Sequence, residues 1–233
     1  MTLSLFIAGS HTDIGKTHVA CALIRAARAQ GLVVEALKPI ASGFDPTDWA
    51  DSDPGRLLAA LGEAPSAVAL DRITPWRYAA PLAPPSAARL EGRTLPLEPL
   101  IDLCAGRLAA SAADLFLLES AGGLMSPLAD DGICLDLLDA LCLPVLLVGG
   151  GYLGAMSHTL TAAEVARGRG HPLRAIVVSQ DADPTAPDFT ETRSLIAAHA
   201  GGVPVFPAPR GGDQAWAQSL LAALIDLPVS APA

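Results

Sequence analysis

Short apolar runs recur along the chain at 3–8 (LSLFIA), 33–38 (VVEALK), 115–119 (LFLLE), 144–148 (PVLLV), 174–178 (RAIVV) and 203–206 (VPVF). Most are apolar at successive rather than alternate positions, which predicts parallel strands covered by helices on both faces. Between them, 17–29 (THVACALIRAARA), 97–112, 157–168 and 189–199 have helical composition. Strand–helix alternation of this kind predicts an α/β fold built on a parallel sheet. Residues 62–96 are Pro-rich and weakly periodic and read as an excursion near the ligand edge of the sheet. No internal repeat or low-complexity linker interrupts the pattern. One domain is expected over 1–226, with 227–233 as a frayed C-terminal tail.

Composition narrows the picture. A chain of 233 residues suits one α/β domain, and with 51% hydrophobic but only 4% aromatic residues its core must be built from Ala, Val, Leu and Ile. The net charge is −9 and the Lys and Arg residues are scattered, so nucleic acid and anionic membrane are not expected partners. An anionic ligand must then be held by a local device. The four cysteines (Cys21, Cys104, Cys134 and Cys142) form no CxxC pair, and free buried thiols in a reducing compartment are expected. The start, MTLSLFIAGSHT, has no basic region and reads as a strand rather than a signal peptide. Residues 140–163 carry no charged side chain, which raises the question of a membrane helix. Pro144 and the glycines at 149–151 divide that stretch into a strand and a loop, and a cytoplasmic protein is expected.

Ligands of open parallel sheets bind at the carboxyl ends of the strands, which singles out loops 9–17, 38–53, 119–127, 149–158 and 179–183. The first reads GSHTDIGKT. Backbone N–H groups of its Asp13-Ile14-Gly15 segment can converge on phosphate oxygens at a helix N-terminus, with Lys16 reaching the terminal phosphates and the Thr17 hydroxyl coordinating Mg²⁺. Its first glycine, Gly9, comes one residue earlier than the usual phosphate-loop spacing. The predicted fold class is accordingly a single-domain P-loop NTPase-like α/β sheet with helices on both faces.

The second loop, KPIASG (38–43), puts Lys38 at a strand end. Alone it reads equally as a solvated lysine or, beside a phosphate loop, as a second cation for a polyphosphate. Glu119 closes LFLLE, where an unpaired charge would be costly, and is expected to hold Mg²⁺. Asp53, in DSDPG, reads as either a second metal ligand or a surface turn residue. GGGYLGAMSH (149–158) is either a carboxylate-binding helix start or a tight turn. His158 reads as a helix-start or packing residue and is carried as a nucleotide-side candidate.

Taken together, GSHTDIGKT, KPIASG, SDP, ESAGG and LGAMSH, in this order and at these intervals, resemble dethiobiotin synthetase from residue 3 to about residue 209. That family shares the early glycine of the phosphate loop. The resemblance implies an ATP-dependent, Mg²⁺-requiring cyclo-ligase of biotin biosynthesis that closes a cyclic urea on 7,8-diaminononanoate with CO2 (bicarbonate). It implies roles for Lys16 on the β- and γ-phosphates and for Lys38 on the carbamate and the transferring phosphoryl group. Thr12 and Ser42 would position substrate and phosphate, while Thr17, Asp53 and Glu119 would bind Mg²⁺. Asp13 would face the nucleotide or a partner subunit. Tyr152, Leu153, Gly154, Ala155, Met156 and Ser157 would cap the substrate carboxylate of the other subunit, which implies a homodimer. Ser179 and Pro207, Ala208 and Pro209 would flank the base.

This chain has His11 where the family often has an acidic residue, and Tyr152 and Ser157 where some members have Lys and Asn. Ser179-Gln180-Asp181 lacks an Asn near the base, which implies tolerance of CTP or other nucleotides. Cobyrinate-type amidases would need a further glutamine-hydrolysing domain. Partition-type ATPase switches would need a second lysine early in the phosphate loop, where Ser10 and His11 stand.

Overall fold

The computed structural model describes residues 3–64, 66–211 and 214–226. The chain runs β1 (Leu3–Gly9), α1 (Lys16–Ala29), β2 (Val34–Leu37), β3 (Ile40–Ser42), α2 (Asp53–Leu61) and α3 (Ala67–Ile73). It continues with β4 (Trp76–Tyr78), α4 (Pro84–Leu90), α5 (Leu97–Ala110), β5 (Leu115–Glu119), β6 (Pro127–Ala129), β7 (Gly132–Ile133) and α6 (Cys134–Leu141). The last elements are β8 (Val145–Gly150), α7 (Ala155–Gly168), β9 (Leu173–Ser179), α8 (Phe189–His199), β10 (Val205–Ala208) and α9 (Ala215–Asp226).

Six strands form one parallel sheet in the order β10-β9-β8-β1-β5-β2. Successive residues of each inner strand face opposite helical layers. Leu5, Ile7, Leu115, Leu117, Leu146 and Val148 pack on the layer of α1, α2, α3 and α9. Their neighbours Phe6, Ala8, Phe116, Leu118, Val145 and Leu147 pack on that of α4 to α8. Both strand faces are apolar because both are buried, as a helix-covered parallel sheet requires. The chain direction across the sheet reverses at β1, with β5 and β2 to one side and β8, β9 and β10 to the other. The crevice at such a reversal is where these folds bind ligands. Among the described residues no helix is long and apolar enough to cross a membrane.

Several expectations need correction. The 62–96 excursion holds elements that its weak periodicity did not show: α3, β4 and α4, with β4 paired in parallel with β3. The last sheet strand lies at Val205–Ala208, two residues beyond the expected run, because Pro204 precedes the paired stretch. Gly149 and Gly150 are paired strand residues of β8, not loop. Helices α2, α6 and α9 and the β6–β7 hairpin occupy stretches for which no element was predicted. The tail expected at 227–233 lies outside the described residues.

Candidate active site

The loop from Ser10 to Gly15 leaves β1 and turns into α1 at Gly15, whose φ of 98° is left-handed and suits glycine. A β-carbon there would collide with the Ser179 side chain, so the residue also permits a close approach of β9's end. Asp13 adopts φ 56°, a conformation that Asp tolerates better than most side chains. Helix α1 starts with neither a side-chain cap nor an acidic residue in its first turn. Its free N–H donors and positive dipole end therefore face the loop. The early glycine now has a physical reason. The Lys16 side chain lies back over Gly9, where a β-carbon would stand 3.0 Å from both Cδ and Nζ, and Nζ donates to the His11 carbonyl at 3.3 Å.

Lys38 follows β2 and is buried. Its ammonium bonds Asp53, the first residue of α2, and donates to Glu119 Oε1 at 2.7 Å. The Thr17 hydroxyl donates to the same Glu119 oxygen at 2.7 Å. Burial alone would lower the Lys38 pKa, but the carboxylates of Glu119 and Asp53 overcome it and hold the pKa above the usual lysine value. Burial raises the Asp53 carboxyl, yet Lys38 outweighs this and holds it below the usual range. Lys16 is lowered by burial and then by repulsion from Lys38.

Glu119 Oε2 is buried and has no hydrogen-bond partner among the described residues. An orphaned carboxylate oxygen beside a hydroxyl and a second carboxylate is a hard-oxygen set that fits Mg²⁺. No group of three or more His, Cys, Asp or Glu side chains suited to a metal occurs among the described residues. A cation here would thus need phosphate or water oxygens to complete its shell, as Mg²⁺ commonly does.

These groups line one cavity of about 300 Å³. It gathers Thr12, Asp13, Ile14, Gly15, Lys16, Thr17, Lys38, Ser42, Asp53, Glu119 and Ser179 of the candidates read from the sequence. It also takes in His18, Arg56 and Arg210, which sequence reasoning passed over. The available signals were positional: His18 follows Lys16-Thr17, Arg56 stands one helical turn beyond Asp53, and Arg210 follows Pro207–Pro209. A second cavity of about 230 Å³ adjoins it at Thr12, Asp13, Ile14, Ser179 and Arg210 and reaches Tyr152.

The other candidates lie elsewhere. Leu153 and Gly154 are exposed on the loop before α7, Ser157 and His158 are exposed on its first turn, and Ala155 is buried beneath it. Met156 packs partly against the core. The Tyr152 hydroxyl and His158 Nδ1 are 2.6 Å apart, with the His11 ring stacked 6.3 Å from that of His158. Pro207 and Ala208 are β10 residues paired with Val178 and Ser179, and Ala208 is fully buried, so its side chain contributes to core rather than to a base pocket. Pro209 lies just past the strand.

A parallel sheet reversing at a strand that feeds a Gly-Lys-Thr loop, with Glu119 closing the neighbouring β5 and Asp53 opening α2 beside it, defines a P-loop nucleotide-binding α/β protein. Comparison with solved structures agrees on the fold. The signal recognition particle receptor FtsY of Elizabethkingia anophelis, solved in complex with GDP, superposes with a TM-score of 0.50 at 16% identity, covering 98% of this chain and 64% of that one. A family model described as an AAA domain matches residues 4–208. The ATP-dependent dethiobiotin synthetase BioD of Phenylobacterium zucineum is 59% identical over 219 residues, 94% of this chain and 94% of that protein. The enzyme of the same name from Caulobacter vibrioides (strain NA1000 / CB15N) is 53% identical over 90% of this chain and 94% of its own length. That from Methylobacterium nodulans is 50% identical over the same shares. The chain belongs to the ATP-dependent dethiobiotin synthetase family, an enzyme family of ligases.

Proposed function

We propose that the chain performs the reaction of its family: ATP-dependent closure of the urea ring of dethiobiotin from 7,8-diaminononanoate and CO2, in biotin biosynthesis. The observation that carries this reading is the convergence of two buried lysines, Lys16 and Lys38, on one phosphate-loop cavity with Glu119, Asp53 and Thr17. A partition-type switch would carry its second lysine early in the phosphate loop, whereas here the second buried cation, Lys38, comes from the end of β2. A reaction that builds negative charge on a transferring phosphoryl group has a use for such a cation.

In this reading one amine of the substrate takes up CO2 as a carbamate, releasing a proton. A carbamate oxygen attacks the γ-phosphorus, ADP leaves, and a carbamic-phosphoric anhydride remains. The second amine then attacks the carbamoyl carbon and gives up a proton, phosphate leaves with the bond pair, and the ring closes. The loop N–H groups and Lys16 hold the β- and γ-phosphates. Lys38 neutralises the carbamate and the phosphoryl oxygens in turn. Thr12 and Ser42 orient the reactants by hydrogen bonds, so positioning carries much of the rate. Thr17, Asp53 and Glu119 hold Mg²⁺, which supplies charge neutralisation on the phosphate oxygens. Asp13 faces the nucleotide or the partner subunit. Ser179, Pro207 and Pro209, with the backbone of Ala208 between them, flank the base, with His158 on the nucleotide side.

The 152–157 loop caps the substrate carboxylate of a second subunit in a homodimer. Leu153, at the tip of this loop, is 86% exposed and so is open to contact by a second subunit. A cytoplasmic location suits the free cysteines.

Phosphate release by the purified protein with Mg-ATP, with and without diaminononanoate and bicarbonate, tests the reading. Release that needs both, with dethiobiotin detected by mass, is the expected result. ATP hydrolysis indifferent to both would overturn it.

A further inference from the structure

Within the cavity, Lys16 and Lys38 are matched by Asp53 and Glu119. What remains is Arg56 and Arg210 against Asp13, so the cation excess that an anionic nucleotide requires comes from the two arginines. Arg210 already donates through Nε to the Gln180 carbonyl at 2.8 Å. Among the described residues the Arg56 guanidinium makes no hydrogen bond or ion pair, although it lines the cavity. Arg28, Arg72, Arg107 and Arg167 are all bonded, and Arg25 and Arg193, whose guanidinium groups like that of Arg56 make no hydrogen bond or ion pair among the described residues, do not line the cavity.

The position of Arg56 is well defined. It stands three residues after Asp53 on α2, so the two side chains share a helix face. The Cys21 thiol donates to the Arg56 carbonyl at 3.4 Å, tying this turn of α2 to α1. A β-carbon at the preceding Gly55 would strike the carbonyls of Trp49 and Ala50, so this turn also packs tightly against the segment leading into it. Arg56 is close enough to both Asp53 and His18 to act on their charge.

Strand order supplies the direction of the ligand. Lys38 and Glu119 mark the β5–β2 side of the crevice, while Ser179 and Arg210 mark the β9–β10 side. A nucleotide whose terminal phosphate lies at Lys38 must run across the start of α1 toward Ser179. Arg56, exposed on α2, lines that same cavity with Asp53 and His18.

We propose that Arg56 is a nucleotide-clamping residue that closes on the α- and β-phosphates from α2, opposite the phosphate loop. The loop's N–H groups hold one side of the polyphosphate, and the planar guanidinium grips the other through paired N–H donors. This rests on the reading of the cavity as an ATP site.

Calorimetric titration of the whole protein with ATP, ADP and AMP, for the wild type, Arg56→Ala and Arg56→Lys, tests it. Arg56→Ala should weaken ATP and ADP by about tenfold or more and AMP by less, the expected loss of charge-assisted hydrogen bonds. Arg56→Lys should recover part of the affinity. In turnover, KM for ATP should rise by more than kcat falls, with KM for the diamine little changed. Melting temperature without nucleotide should not move; if Arg56→Ala lowers it, Arg56→Lys decides. ATP affinity within twofold of wild type in the variants overturns the clamp and leaves the ATP site standing. Failure of the wild type to bind ATP overturns both.

Discussion

Replacing Lys38 by Met removes the one ammonium shared by Asp53 and Glu119 while keeping the apolar stem. The Lys38 and Glu119 side chains are 6% and 2% exposed, so Glu119 would be left as a buried charge without its bonded cation. Breaking a buried pair from one side costs ~3–5 kcal/mol. The Asp53 side chain is 42% exposed, so solvent screens its share, and we count only ~0–1 kcal/mol for it. A loss of ~3 kcal/mol corresponds to a fall in Tm of ~6–12 °C for a chain of this size. Because the folded pKa of Lys38 lies above the free value, its contribution is fully present below pH ~10.5 and fades only as pH rises through the raised value. Melting at neutral pH therefore sees all of it. In EDTA, Lys38→Met should melt well below the wild type, and Mg²⁺ should raise the variant's Tm by more than the wild type's. In the wild type the cation must compete with an ammonium already bonded to both carboxylates. A variant within about 2 °C of the wild type in EDTA, less than ~1 kcal/mol at this size, would refute the reasoning. So would an equal Mg²⁺ shift in both. Turnover should fall by ~10²-fold or more, the usual cost of deleting one preorganised charge.

Three further outcomes follow from other residues. Gly15→Ala forces a left-handed residue to carry a β-carbon against Ser179 and should cost ~1–2 kcal/mol from backbone strain alone; calorimetry should find ATP affinity at least tenfold weaker, and affinity within threefold of wild type would show that the loop accepts the side chain. The depressed pKa of Asp53 means its stabilising charge is present above pH 3.8 and is lost as pH falls through the folded value below that. The stability gap between wild type and Asp53→Asn, read by urea unfolding, should close on acidification below pH 3.8, and a gap that widens there would contradict the pairing. Burial pushes the thiols of Cys21 and Cys104 up to about 12 and that of Cys134 up to about 11, while Cys142 is exposed. One thiol per native chain should therefore react quickly with Ellman's reagent at pH 8, with the other three appearing on denaturation.

The inner strands were legible because each is an uninterrupted apolar run, and burial on both faces is what such a run means. Helix α2 was not, although it carries its own start signals: Ser52 caps it through Gly55 N–H and Pro54 lies in its first turn. Asp-Pro-Gly reads locally as a turn, and only the packing of Leu57, Leu58 and Leu61 on the α1 layer resolves the choice. β3 and β4 are three residues each and exist through one another. In the site, the residue types were legible one by one as charges ending buried strands. Their pairing was not, since Lys38 and Glu119 are 81 residues apart and a sheet order is needed to bring them together. Arg56 and His18 were hidden for the same reason: a charged residue on a helix is ordinarily solvated, and only the fold sets these two, one exposed and one half-buried, along the cavity.

The helix starts carry one more consequence. Ser52, Ser66 and Asp188 cap α2, α3 and α8 with their own side chains. Helix α1, which opens at the phosphate loop, and α7 begin instead at left-handed glycines with no side-chain cap. A chain selected for robustness alone would have filled both with Ser or Asp. At α1, a stabilising cap of the consensus kind would compete with a phosphate ligand for the same N–H groups.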